Sequence, residues 1–381
     1  MIENMNNPDP FAPVRAAYAD RSGAAGQARA AGQPVVAYLG NATPVELIIA
    51  AGAFPLLMAG DPLDDTPLAE QYLDDDFDGD LRSVYQRIVS GHYNLADLIV
   101  IPRSSNNYLY LYYFLRETRR MLPGQKFPEV VLFDVLHTPF LSTGQYVYKR
   151  LLALKARLEK LGGKAIDDAA LRAAIVTVNR SRAALQDLNA LRREARVTGA
   201  DLLRATGAAG FAGPAAAAAM LRAAHAQLAS LAPRGGMRLM VKGAPHDNAA
   251  FYELVEELGA LVVADDHVSG ERSFEHLVEE GVEPIAALAQ HYQLHAPGIR
   301  SFPQLTQDRR FIEIVEQAQV EGVAFFHDEF DDTMGWDYPE QKRLLDERGI
   351  PSVFLQQQSY RTPDRAAQEA AIRALMERKT P

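Results

Sequence analysis

The sequence contains no cysteine among its 381 residues. Disulfide bonds, thiolate metal ligands and cysteine nucleophiles are therefore excluded from this chain. The redox compartment cannot be inferred from cysteine usage. A metal ion would have to bind through histidine, aspartate or glutamate instead.

Long hydrophobic runs and an excess of positive charge are also missing. No stretch reaches the roughly 18 consecutive apolar residues of a membrane span, and residues 1–10 lack the basic start and apolar core of a secretory signal. Lys and Arg total 39 against 49 Asp and Glu, a net charge of −10, which disfavours nonspecific binding to nucleic acid or anionic lipid. We expect a cytoplasmic protein with no nucleic-acid and no membrane partner.

The hydrophobic pattern predicts two α/β units. β-rich runs at 34–39, 54–58, 97–102 and 129–133 alternate with helical segments, as in a parallel sheet covered by helices. The same alternation returns from residue 237, whereas 144–231 has only helical periodicity. We predict an α/β fold of two parallel-sheet domains with a helical middle section. Its parts are an N-terminal arm at 1–30, a first α/β domain at 31–150, the helical section at 151–235 and a second α/β domain at 236–381.

Ligands of open parallel sheets bind beyond the carboxyl ends of the strands. This rule selects the loops at 40–43, 103–107, 243–248, 265–272 and 327–335. None contains a phosphate-loop or dinucleotide-binding fingerprint. Predicted substrate contacts in these loops are Asn41, Arg103, Ser104, Ser105, Asn106, Asp266 and Arg272.

Each of these residue types has a structural alternative. The guanidinium groups of Arg103 and Arg272 suit bidentate contacts to phosphate or carboxylate. Asp266 and Arg272, with Asp265, can equally form an internal charge network beneath a cleft. Ser104 and Ser105 lack a Gly-x-Ser-x-Gly nucleophile elbow, so helix capping is the favoured interpretation of these two serines.

The loop at 327–332 has the densest carboxylate cluster of the chain. His327, Asp328, Glu329, Asp331 and Asp332 offer nitrogen and oxygen ligands for a divalent ion. Their spacing matches no established metal site, and acidic loops are more often solvated surfaces or helix caps. We assign no metal to the loop.

Several segments together resemble a known family. Residues 44–55, PVELIIAAGAFP, are similar to the Pro-x-Glu-Leu-Ile-x-Ala-Ala-Gly-x-x-Pro segment of the 2-hydroxyacyl-CoA dehydratase and benzoyl-CoA reductase family, in its D-component subunits. Further similarity lies at 161–182, at 259–272 and at 322–351. The resemblance implies two flavodoxin-like domains, a related partner subunit and a CoA thioester ligand.

The family's members hold a [4Fe–4S] cluster through three cysteines, and an ATP-hydrolysing activator supplies the electron. The resemblance places the corresponding positions at Gly40 or Asn41, at Ser105 and at Asp331. Serine, asparagine and a lone carboxylate are poor substitutes for thiolates. We therefore expect no cofactor in this chain and a [4Fe–4S] cluster, if there is one, in a homologous cysteine-bearing partner subunit.

Three functions follow from these observations. The preferred one is a cluster-free subunit of a hetero-oligomeric acyl-CoA dehydratase or reductase, which shapes the thioester cleft while the partner supplies the iron–sulfur centre. The second is an independent acyl-CoA lyase or hydratase that uses acid–base or metal chemistry, with His327, Asp331 and Asp332 as catalytic residues, or His246 and Asp247. The third is an acyl-CoA binding module without catalysis.

Overall fold

The computed structural model describes residues 9–74, 76–296, 302–331 and 334–378. Two four-stranded parallel sheets form its framework, with strand orders β2-β1-β3-β4 and β6-β5-β7-β8. The strands of the first sheet are β1 Val35–Tyr38, β2 Phe54–Leu57, β3 Leu98–Pro102 and β4 Glu129–Phe133. Those of the second are β5 Arg238–Gly243, β6 Leu261–Asp266, β7 Gly322–Asp328 and β8 Ser352–Gln358.

Helices cover both sheets and fill the space between them. In chain order they are α1 Ala12–Ala19, α2 Gly23–Ala30, α3 Val45–Ala50, α4 Pro67–Tyr72, α5 Gly79–Val89, α6 Asn106–Met121, α7 Leu141–Gly162, α8 Asp168–Arg193, α9 Gly199–Ala212, α10 Pro214–Leu228, α11 Ala250–Glu257, α12 Pro284–Gln290, α13 Gln304–Gln317, α14 Tyr338–Asp346 and α15 Arg365–Glu377. The described part of the chain has no helix that is long and apolar enough to cross a membrane.

The central strands explain why the chain forms parallel sheets. Every residue of β1 and β3 is buried, as expected for strands that helices cover on both faces. The two sheets have equivalent strand orders. β1 lies between β2 and β3, and β5 lies between β6 and β7. The prediction of two α/β parallel-sheet units is confirmed, whereas the exact domain boundaries remain predictions.

Two strands extend further than the sequence pattern indicated. β6 continues to Asp266, and β7 continues to Asp328. Asp266 lies opposite Lys242 of β5, and the two side chains form a buried ion pair, which allows a charged residue in the sheet. Asp265, Asp266, His327 and Asp328 are therefore strand residues rather than loop residues.

Helix α8 is joined by buried ion pairs to elements beside both sheets. Arg182, in its middle, pairs with Glu46 of α3. Arg192, near its carboxyl end, is fully buried and pairs with Asp265 of β6. One rigid helix therefore sets the position of the first sheet relative to the second.

Residues 1–8 of the predicted N-terminal arm lie outside the described part of the chain. The rest of the arm contains helices α1 and α2. The hydroxyl of Tyr18 donates to the backbone oxygen of Asp247 over 2.6 Å. The guanidinium of Arg21 donates to the backbone oxygens of Gly60 and Asp247. These bonds join the loop after β2 to the loop after β5, so the arm bridges the two units.

Candidate functional site

A cavity of about 180 Å³ lies between the two sheets. Its walls come from the loops after β1, β2, β5 and β6 and from helices α8 and α9. Both sheets thus contribute the carboxyl ends of their strands, the usual ligand position in this kind of fold. Most of the accessible wall surface is apolar, with polar side chains such as Asn41, Arg182 and His246 interspersed in it.

Two of the three glycines of helix α9 let it approach the elements around the cavity closely. A Cβ atom on Gly207 would lie 2.7 Å from the Tyr18 ring, and one on Gly210 would lie 2.6 Å from Leu57. Real Cβ atoms do not approach other atoms so closely. The two glycines therefore let α9 form one wall of the cavity.

Arg182 is the one cation among the described residues of the cavity wall, and its charge is already paired. Its guanidinium donates to Glu46 Oε1 over 2.7 Å. The Tyr292 hydroxyl donates to the other carboxylate oxygen over 2.6 Å. Burial raises the pKa of Tyr292 well above its usual value, so this hydroxyl keeps its proton. The result is a buried and charge-balanced triad.

Two polar atoms of the wall have no hydrogen-bond partner among the described residues. They are Nδ2 of Asn41 and Nε2 of His246. His246 is 5% exposed, and its ring stacks on Phe251. Burial, helped by the neighbouring His267, holds the pKa of His246 well below its usual value, so the imidazole is neutral at pH 7. Both atoms are buried polar groups of cavity-wall residues whose hydrogen-bonding capacity is unused within the described part of the chain.

Two half-buried carboxyl groups also belong to the wall. Burial raises the pKa of Asp80 well above its usual value, and the neighbouring Asp78 and Asp247 add to this. Burial also raises the pKa of Asp247, although the Tyr360 hydroxyl, which donates to it over 2.8 Å, opposes the shift. The cavity thus carries acidic groups that resist ionisation.

The structure distributes the predicted substrate contacts over three places. Asn41 lies in the cavity wall. Arg103, Ser105 and Asn106 lie on the surface at the start of α6, and Ser104 beside them is half-buried. The Ser105 side chain accepts a hydrogen bond from the Tyr108 backbone, which confirms its interpretation as a helix cap.

Arg103 is accessible to a ligand. Its side chain is 44% exposed and pairs with Asp134 at 3.2 Å. A surface pair of this kind contributes little to stability. The structure therefore leaves Arg103 able to exchange its partner for a ligand phosphate.

Asp266 and Arg272 belong to a buried charge network behind the cavity. Asp266 pairs with Lys242, with Arg272 and with Arg310. Burial alone would raise the pKa of Asp266, but the three cations outweigh it and hold the pKa well below its usual value. The internal network, one of the two predicted alternatives, is confirmed, and a direct substrate contact by these two residues remains a prediction.

The acidic segment at 327–332 begins inside β7, where it is partly buried. His327 is 4% exposed and contacts the Phe354 ring edge-on at 4.6 Å. Burial lowers the pKa of His327, and Asp331 partly opposes the shift. The Asp331 side chain accepts from the Met334 backbone over 3.1 Å. Asp332, the third predicted catalytic residue, lies outside the described residues.

Asp328, the last residue of β7, has a strongly perturbed carboxyl group. Burial, with the nearby Asp78, Glu329 and Asp331, raises the pKa of Asp328 to about 7. The described residues contain no group of three or more histidine, aspartate and glutamate side chains placed to hold a metal ion. The raised pKa of Asp328 suits proton exchange near neutral pH.

Several residues of the site were not predicted from the sequence. Glu46, Arg182, Asp80 and Tyr108 all line or support the cavity. Glu46 and Arg182 lie within the family-like segments at 44–55 and 161–182. A charged residue inside an otherwise apolar helix was the available signal for Glu46, because such a residue needs a buried partner.

Comparisons with known proteins match most of the chain. A family model described as 2-hydroxyglutaryl-CoA dehydratase, D-component, matches residues 41–378. The chain is 21% identical over 336 residues to the (R)-phenyllactyl-CoA dehydratase beta subunit of Clostridium sporogenes. This alignment covers 85% of this chain and 86% of the relative. The chain is 23% identical over 356 residues to the (R)-2-hydroxyglutaryl-CoA dehydratase subunit beta of Acidaminococcus fermentans. That alignment covers 85% of this chain and 87% of the relative.

Proposed function

Since the chain belongs to the 2-hydroxyglutaryl-CoA dehydratase D-component family, we propose that it is the cluster-free subunit of a hetero-oligomeric 2-hydroxyacyl-CoA dehydratase. The observation that carries the proposal is a family match over nearly the whole chain combined with the lack of any cysteine. Both curated relatives are named as beta subunits of dehydratases that act on 2-hydroxyacyl-CoA thioesters. We assign the iron–sulfur centre to a homologous, cysteine-bearing partner.

The residues at the three family cluster positions do not fit a [4Fe–4S] cluster. Asn41 and Ser105 are neutral, and the Ser105 oxygen already accepts a backbone hydrogen bond as a helix cap. Asp331 accepts a backbone hydrogen bond in the loop after β7. Iron–sulfur clusters require soft thiolate ligands. We therefore derive no step of the reaction through a cluster in this chain.

This chain's own part in the reaction is binding. In the proposal the cavity receives the acyl end of the thioester, and Asn41 Nδ2 and His246 Nε2 offer hydrogen bonds to its oxygen atoms. Arg103, at the surface, contacts a phosphate of CoA through its guanidinium fork. Enclosure between the two units excludes water from the acyl group.

The test is the native mass of the protein after purification without oxygen from the cells that make it, with the bound chains identified by mass spectrometry. We expect a hetero-oligomer with a cysteine-bearing relative and iron and sulfide in the complex, but none in this chain once the subunits are separated. A homo-oligomer that converts a CoA thioester alone, with activity lost in Asp331→Ala, would establish acid–base chemistry instead. Tight thioester binding without turnover in any complex would indicate a binding module.

A further inference from the structure

We propose that the cavity selects an uncharged, apolar acyl group, aromatic or branched aliphatic, and rejects an acyl group that ends in a second carboxylate. The inference rests on the proposed function, because it concerns the acyl part of the same CoA thioester. It assigns a substrate class to a cavity made entirely by this chain.

The size of the cavity suits a compact acyl group. Its volume is about 180 Å³, somewhat larger than an apolar protein cavity of about 150 Å³ that binds benzene. A phenyl ring or a branched chain of similar volume fills such a space.

The walls favour apolar groups. Leu39 and Met58 come from the first unit, and Leu185, Leu203 and Phe211 come from helices α8 and α9. All five side chains are nearly fully buried. An apolar acyl group that enters here leaves water and contacts aliphatic and aromatic atoms, which is favourable in proportion to the area buried.

The charges of the wall disfavour a second carboxylate. A dicarboxylic acyl group would need a cation, and Arg182, the one cation among the described wall residues, is already neutralised by Glu46 at 2.7 Å. The acidic groups of the wall, Asp80 and Asp247, have raised pKa values and supply no positive charge. A second carboxylate of the ligand, desolvated beside them, would lack a counter-ion in the wall.

The polar atoms that remain suit the reacting end of the substrate. Asn41 Nδ2 and His246 Nε2 are both uncharged and without a partner among the described residues. A 2-hydroxyacyl thioester carries a hydroxyl and a carbonyl oxygen, both of which form neutral hydrogen bonds. Two such partners match this substrate class without any ionic contact.

The experiment is isothermal titration calorimetry on the chain, together with any subunit that purifies with it, using thioesters that lack a 2-hydroxyl and cannot be dehydrated. We expect 3-phenylpropionyl-CoA to bind at least 10-fold more tightly than glutaryl-CoA, and acetyl-CoA to bind more weakly than 3-phenylpropionyl-CoA. Equal affinity for all three would overturn the inference and leave the proposed function standing. Tighter binding of glutaryl-CoA would also overturn the inference. If no thioester binds, the proposed function and the inference both fail.

A cavity-filling variant shows whether this cavity is the origin of the selectivity. Ala209 lines the cavity, whereas Ala216 on α10 is exposed. We expect Ala209→Phe to weaken the binding of 3-phenylpropionyl-CoA at least 10-fold and to change the affinity for acetyl-CoA by less than 2-fold. Ala216→Phe should change neither affinity. Unchanged selectivity in a folded Ala209→Phe protein would place the acyl group elsewhere and overturn the inference. Should Ala209→Phe fail to fold, Thr206→Leu, also in the wall, serves with the same expectation.

Discussion

The guanidinium of Arg182 donates a hydrogen bond of 2.7 Å to the carboxylate of Glu46, a residue 136 positions earlier in the chain. Glu46 is completely buried, and Arg182 is 8% exposed. Such a buried pair adds little net stability while it is intact. Its loss matters far more, because the remaining charge then has no partner and no water.

We expect Arg182→Met to lower the free energy of unfolding by about 3–5 kcal/mol, because it leaves the Glu46 carboxylate buried and uncompensated. The double variant Glu46→Gln with Arg182→Met should recover half or more of that loss. Urea denaturation measures both changes. The control is Arg373→Met, which breaks the exposed pair with Glu369 and should change stability by less than about 0.5 kcal/mol. A single variant as stable as wild type would show that the pair does not hold α8 to α3.

Gly40, at the end of β1, is required for two separable reasons. Its φ angle is +63°, and a Cβ atom would lie 2.9 Å from the Tyr108 ring. We expect Gly40→Ala to cost about 2–4 kcal/mol, since left-handed backbone strain of about 1–2 kcal/mol is added to a steric clash of similar size. Gly163→Ala is the matched control, because Gly163 has φ +66° and open space around it.

The difference between the two alanine variants in thermal or urea unfolding isolates the clash with Tyr108. Equal losses would mean that the Tyr108 ring moves aside without cost. Because Gly40 and Tyr108 both line the cavity, the same substitution should also weaken ligand binding.

The arrangement of the elements was largely predictable from the sequence. The apolar runs at 34–39 and 97–102 predicted strands of a parallel sheet covered by helices, and the strands found there are fully buried. The ends of β6 and β7 were not predictable in this way. Asp265 and Asp266 look like loop residues until Arg192 and Lys242, distant in sequence, are known to pair with them.

The candidate site was predicted only in part. The strand-end rule selected the loops around Asn41 and His246, and both residues lie in the cavity wall. It could not distinguish cavity residues from surface residues such as Ser105 or from network residues such as Arg272, because all of them follow strands. Only tertiary packing decides which side chains a cavity exposes to a ligand.

The two predicted arginine contacts can be separated by experiment. Arg103 is 44% exposed, so Arg103→Ala should weaken CoA-thioester binding by about 5-fold at low ionic strength, with a smaller effect at 0.5 M salt, and leave stability unchanged. Arg120→Ala, which removes a more exposed arginine of the following helix α6, is the control. Calorimetric titration with acetyl-CoA at two salt concentrations measures the change. Equal affinities of wild type and Arg103→Ala would remove Arg103 from the binding site.

Arg272 should behave differently from Arg103. It is 6% exposed and holds Asp266 together with Lys242 and Arg310. We expect Arg272→Met to lower the free energy of unfolding by about 2–4 kcal/mol, because the buried Asp266 charge loses one of its three cations. Arg272→Met with normal stability but weakened thioester affinity would instead favour a direct substrate contact. Urea unfolding and calorimetry on the same preparation distinguish the two outcomes.

The raised pKa of Asp328 predicts a pH-dependent stability. Below about pH 4 this carboxyl is protonated in both the folded and the unfolded chain, so it imposes no penalty. From about pH 4 upward it ionises in the unfolded chain, whereas in the folded protein burial and the carboxyls of Asp78, Glu329 and Asp331 keep it protonated up to about pH 7. The contribution of Asp328 to the free energy of unfolding therefore falls as the pH rises from about 4 to about 7 and is constant above pH 7.

Asp328→Asn should remove this penalty, because the amide does not ionise. We expect the variant to gain stability relative to wild type as the pH rises from 4 to 7, by up to about 4 kcal/mol, and to hold that advantage at pH 8. Urea unfolding at pH 4, 5, 6, 7 and 8 measures it, with Asp187→Asn, at an exposed carboxylate of α8, as the control. A constant difference between Asp328→Asn and wild type over this range would mean that Asp328 ionises equally in the folded and unfolded chain. Asp328, at the end of β7, would then have no proton to exchange near neutral pH, and the acid–base alternative for this chain would lose its best-placed group.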